Sequence, residues 1–191
     1  LQLSTQIQLE SGGETKGANF TEEEAKLFVA RYELLNQSDN SDPTGFSAAL
    51  FRDKDTGRLI VSFRGTEPFG IQLVNDLLTA DARIGLDGYA SPQSISLYRY
   101  IKQLITPQGQ SVQYTAQELD GLKTIYLDRA DSPLELAARN LTWTTVQSDL
   151  LTDIGTALIP AGCPNLDFTG HSLGGHLAML ASRFFPELGA Q

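Results

Sequence analysis

The sequence holds one cysteine, one methionine and one tryptophan among its 191 residues. A lone thiol closes no intrachain disulfide, so no covalent framework staples this chain. Nothing around Cys163 resembles a catalytic thiol arrangement, and it reads as a small buried or half-buried side chain. Long apolar runs are missing too: none approaches the roughly 20 residues that a bilayer crossing needs. Basic residues are scarce, 14 Lys and Arg against 23 Asp and Glu, giving a net charge of −9. With a pI near 4.6, such a surface repels nucleic acid and anionic membrane, which excludes both as electrostatic partners. Histidine is rare as well, with only His171 and His176.

What is present describes an ordinary globular chain, 41% hydrophobic and 19% charged, of a length that fits one domain over 1–191. The opening Leu1 to Leu9 alternates apolar and polar residues and predicts a strand, not a secretory signal. The chain begins without Met, so it is expected to be processed, trimmed or part of something longer.

Thr21 and Glu24 form a capping-box pattern, and Leu27, Phe28, Tyr32, Leu34 and Leu35 continue it as an amphipathic helix to about Asn36. Gln37 to Gly45 is loop-like. Phe46 to Phe51 and Leu59 to Phe63 predict a hairpin turning at Asp53 to Gly57. A calcium reading of Asp53 and Asp55 would need more oxygen donors at regular spacing, so these residues read as a turn. A helix is expected from Pro92 to Ile105, with Ile95, Tyr98, Ile101, Leu104 and Ile105 inward. Ala116 to Leu122 and Leu134 to Leu141 each read as helical, with Ile125 to Leu127 between them, and Trp143 to Ile159 as a further helix ended by Pro160. Strands early, helices later and a closing strand–turn–helix predict an α/β fold with a mixed or parallel sheet covered by helices.

The strongest chemical signal is Gly170-His171-Ser172-Leu173-Gly174. A hydroxyl is a weak nucleophile, so a serine enzyme must hold it where a base and a carbonyl can both reach it. A sharp strand-to-helix turn does this, and flanking glycines let helix and strand approach. Three fixed residues of this frequency recur by chance in about one such chain in fifteen, so context decides. Asn165 to Thr169 reads as a strand before the motif, and Leu173, Leu177, Leu180 and Phe184 recur at helical spacing until Pro186. The alternative is a glycine-rich turn with a bystander serine.

Neither histidine suits a general base, which must reach the serine oxygen at hydrogen-bond distance. His171 should point away from its neighbour at a tight turn, and His176 lies along the helix; both read as packing residues. After Ser172 only residues 173–191 remain, with one acid, Glu187, and no histidine besides His176. A second element, Ser62 to Glu67, ends a strand where a loop can place a donor over a developing oxyanion. Arg64 there reads as a buried structural ion pair.

Phe63-Arg-Gly-Thr66, followed about a hundred residues later by Thr169-Gly-His-Ser-Leu-Gly-Gly-His-Leu-Ala178, resembles the class 3 lipases. The likeness spans roughly Phe46 to Phe185. It implies the nucleophile-bearing, N-terminal part of an α/β-hydrolase fold, a mostly parallel sheet with helices on both faces. It implies Ser172 as nucleophile and Thr66 and Leu173 as oxyanion-hole donors, with a lid-like segment at about 68–90. The insert at about 108–142, the segment Asn75 to Asp81 and the Gly-Gly-His176 elbow are more like large secreted bacterial lipases than compact fungal ones. Secretion is expected accordingly. No cofactor is implied, and the calcium-binding repeats of some such lipases have no counterpart in this chain. Sequons at Asn19, Asn36 and Asn140 are frequent by chance.

The expected activity is therefore hydrolysis of lipid esters through an acyl-enzyme on Ser172. In hydrolases of this fold the acid and the histidine follow the serine in the chain. Both are expected from beyond Gln191, on a second polypeptide or C-terminal fragment that also completes the sheet. The competing reading is a non-catalytic module that binds lipid or protein on a hydrolase scaffold.

Overall fold

The computed structural model describes residues 21–39, 42, 44–65, 91–128, 130, 132–160, 162–163 and 166–189. The expected strand at Leu1 to Leu9 lies outside them, as do Thr66 and the lid-like segment 68–90.

Thr21 caps helix α1 (Glu22–Arg31) as its sequence predicts: its hydroxyl accepts the Glu24 amide while the Glu24 carboxylate takes the Thr21 amide. The helix stops at Arg31. Tyr32 turns extended and residues Tyr32–Gln37 form strand β1 rather than continuing the helix to Asn36. Leu34 and Leu35 fit either periodicity, and backbone pairing with the neighbouring strand decides between them. Strand β2 (Ala48–Asp53) and strand β3 (Leu59–Phe63) make the expected hairpin. Asp53 builds its turn, its Oδ1 accepting the amides of Asp55 and Thr56 while Oδ2 takes Arg31 at 3.0 Å.

Helix α2 (Ser91–Ile105) follows, then helix α3 (Ala116–Leu127) and helix α4 (Pro133–Leu150). The sequence reading of this insert changes in two places. Ile125 to Leu127 complete α3, and the two expected helices from Leu134 onward are one, ending at Leu150 rather than Ile159. Residues 151–160 instead turn and then run as an irregular segment beside the end of α2: the amides of Thr156, Ala157 and Ile159 donate to the carbonyls of Gln103, Thr106 and Leu104. Strand β4 (Leu166–Gly170) and helix α5 (Leu173–Phe184) close the described chain.

The four strands stand in the order β1-β2-β3-β4. β1 with β2 and β2 with β3 are antiparallel, and only β3 with β4 is parallel. The described sheet is mixed and mostly antiparallel, which corrects the expectation of a mostly parallel one. The short connection between β2 and β3, residues 54–58, permits nothing but a hairpin, whereas the long excursion between β3 and β4 can cross over. On one face Leu50, Val61, Phe63 and Leu166 pack with Leu97, Ile101 and Leu104 of α2 and Leu177 and Ala181 of α5. On the other, Phe28 of α1 meets Phe51 edge-on at 5.5 Å. Cys163 is buried in the main core, as its size suggests.

The α3–α4 hairpin forms a second, smaller core around Leu122, Trp143 and Leu150. A polar network fastens it to α2. Asp153, 5% exposed, takes both nitrogens of the Arg99 fork at 2.9 and 2.6 Å and the Tyr114 hydroxyl at 3.0 Å. Glu118 accepts from Tyr98 at 2.6 Å and Lys102 at 2.8 Å. Burial would raise the Glu118 carboxyl, but these bonds and the Thr115 amide outweigh it and hold it at about 2.

Two outcomes follow for stability. Asp153→Asn leaves the Arg99 guanidinium without its carboxylate; because that side chain is 35% exposed, the loss should be about 2 kcal/mol in urea unfolding, below the range for a fully buried pair. Glu118 is depressed in the folded state, so its contribution is intact above the ordinary carboxylate value and lost as pH falls toward 2. Glu118→Gln should flatten the decline in melting temperature between pH 4.5 and 2, and an unchanged decline would count against this assignment.

Candidate active site

Parallel pairing aligns Phe63 with Gly170, the last residues of β3 and β4. The two motifs singled out in the sequence therefore leave the sheet at the same end and the same level. Arg64-Gly65 departs from one strand and His171-Ser172 from its neighbour. Open α/β sheets place ligands at this end of their parallel strands.

Ser172 sits at the junction of β4 and α5 with φ 56° and ψ −126°. That conformation is uncommon for a residue with a Cβ and is held only where the surroundings over-determine it. Three backbone bonds do so: the amide of Gly174 donates to His171 O at 3.0 Å, and those of Gly175 and His176 donate to Ser172 O at 2.9 and 3.3 Å. The Ser172 side chain is exposed, as the elbow reading expects.

The glycines are there for space. A Cβ on Gly170 would run into the backbone of Gly174, and one on Gly174 would run into the Phe63 carbonyl. Helix α5 thus begins pressed on the ends of both parallel strands. A Cβ on Gly65 would lie 2.6 Å from His171 O and 3.6 Å from the Ser172 Cβ, so the chain leaving β3 rests directly on the elbow.

Leu173 buries its side chain while its amide enters none of the bonds named above. The first N–H groups of a helix have no intrahelical partner, and they carry the positive end of the helix dipole. The amides of Gly174, Gly175 and His176 are already engaged, so an anion developing next to Ser172 would meet the Leu173 amide. Thr66, the other expected donor, lies outside the described residues, but its neighbour Gly65 is against the elbow.

His171 is exposed beside Ser172. His176 is half-buried, its Nε2 has no hydrogen-bond partner, and burial lowers its pKa, so the ring stays neutral under ordinary conditions. Glu187 lies beyond the far end of α5, about 18 Å along the helix axis from its start, on the side of Tyr98. Arg64 is exposed, which corrects the expectation of a buried ion pair. Among the described residues no three His, Cys, Asp or Glu side chains converge as a metal site would, and no helix is long and apolar enough to cross a membrane. A cleft of about 390 Å³ between the end of β1 and α2 is lined by Asn36, Ser38, Ser96, Arg99, Gln103 and Thr156 among others, and does not include Ser172. Sequence reasoning missed one site residue, Gly65; the Arg-Gly-Thr motif held it, but its contact with the elbow depends on strand register.

The close approach at the elbow can be checked against a glycine with room around it. Gly174→Ala should lower stability by about 3 kcal/mol, the upper end for overpacking, because the obstacle is a backbone carbonyl. A Cβ on Gly121 in α3 meets nothing within 4 Å, so Gly121→Ala should instead stabilise by about 0.5–1 kcal/mol. Equal melting temperatures for the two variants would contradict the packing described. Compared with family models, with curated proteins and with solved structures, the chain matches none.

Proposed function

We propose that this chain is the nucleophile-bearing part of a serine carboxylic-ester hydrolase of the lipase type. The observation that carries the proposal is the exposed Ser172 hydroxyl at a strained strand-to-helix bend, φ 56°. Strained non-glycine residues with no packing purpose of their own are concentrated at functional sites.

In the proposed reaction Ser172 Oγ attacks the ester carbonyl and passes its proton to an imidazole. The tetrahedral oxyanion is held by the Leu173 amide and by Thr66. Collapse of the intermediate expels the alcohol and leaves an acyl-serine, which water then releases. Lipid esters are the proposed substrate class on the strength of the resemblance to class 3 lipases, and secretion is proposed on the same ground. No cofactor takes part in these steps.

The imidazole and the carboxylate orienting it are assigned to a second polypeptide or a C-terminal fragment. The far edge of β4 supports this. Gly189, just after α5, already bridges Leu166 in parallel, the register that a strand following a β–α crossover would adopt. An edge continued this way is also no longer free to aggregate.

A fluorophosphonate probe applied to the assembled protein tests the proposal. It should label Ser172, and Ser172→Ala should abolish the labelling while preserving the circular dichroism spectrum. A folded assembly that takes no label would instead favour the non-catalytic binding module.

A further inference from the structure

We infer that Gly65 is a positioning residue for acyl transfer at Ser172, an inference that rests on the ester-hydrolase reading. Its backbone φ lies outside the left-handed region, so the local chain would accept alanine; the contact with the elbow is what excludes a side chain. A Cβ there would stand 2.6 Å from His171 O, well inside van der Waals contact, and 3.6 Å from the Ser172 Cβ.

Neither partner in this contact can recede. The His171 carbonyl accepts the Gly174 amide at 3.0 Å, and Gly174 is itself pressed on the Phe63 carbonyl. On the other side, Arg64 is tied back by its amide to Ser47 O at 2.9 Å, one residue before Gly65. The elbow and the strand end are therefore fixed, and a methyl at position 65 can be accommodated only by moving the backbone at Gly65 away from Ser172. The displacement needed is about 1 Å, enough in a reacting geometry to lower a rate about a hundredfold. The bare α-carbon sets the width of the gap beside the nucleophile through which an ester carbonyl approaches. Because the obstacle arises at Cβ, alanine and serine should act alike, and the effect should appear in turnover rather than binding.

Gly65→Ala and Gly65→Ser in the assembled protein, assayed with a short-chain p-nitrophenyl ester and by the rate of fluorophosphonate labelling, test this. Expected for both is a fall in kcat of about a hundredfold, a KM within about twofold and a parallel fall in labelling rate, with a melting temperature lowered by less than in Gly174→Ala. A kcat within about threefold of the parent would overturn the inference. So would a variant that fails to fold or melts as early as Gly174→Ala, since Gly65 would then be a structural glycine. If the parent itself takes no label at Ser172, the ester-hydrolase reading fails and this inference with it; a labelled parent with an unimpaired Gly65→Ala removes the inference alone.

Discussion

The pairing of Phe63 with Gly170 is the constraint on which the site depends. It is one rung of the only parallel ladder among the described strands, and it brings together segments separated by about a hundred residues. With that rung in place, α5 can begin hard against both strand ends only if Gly170 and Gly174 have no side chains. The bend at Ser172 is then the geometric remainder, the conformation left to a chain that must leave one strand and start a helix within two residues. Shifting the ladder by one residue would turn Phe63 and Phe168 out of the core they share, a 6.3 Å stack. Core packing and site geometry are held by the same register.

Much of this was legible in local sequence. Thr21 with Glu24, the turn at Asp53 to Gly57 and the Gly-His-Ser-Leu-Gly elbow each signal through residues close together in the chain. These features rest on side chain to backbone bonds or on glycine sterics that span a few positions, so long-range context cannot overrule them. Helix α2 was legible for a similar reason, since Ile101 and Leu104 fall on one helical stripe and Thr106-Pro107 stop it.

The features that escaped were those set by tertiary partners. Tyr32 to Gln37 has the apolar spacing of a helix end yet pairs with β2, because an open sheet edge offers bonds that a fraying helix does not. In the insert, Gly121 falls inside α3 and no glycine or proline stands between Pro133 and Gly155 to mark a helix end, and the end of α4 at Leu150 is fixed by Asp153 meeting Arg99 and Tyr114. Ala157 takes φ 53°, for which alanine gives no warning; its amide is held by Thr106 O. At the site, the serine was readable but the contact between Gly65 and the elbow was not, since residue order alone does not give the level at which two distant strands end.

The excursion carrying α3 and α4 leaves and returns through one doorway. Gly109 donates to Gly155 O at 3.0 Å, Gly155 to Gln110 O at 2.8 Å, and Val112 to Asp153 O at 2.8 Å. Its two stems are thus zipped together before the hairpin begins. Closing a loop between ends that are already adjacent depends only weakly on the number of residues in it. Lengthening, shortening or exchanging the hairpin should leave strand register and elbow untouched, which makes this doorway the natural place for the scaffold to acquire or shed an accessory module.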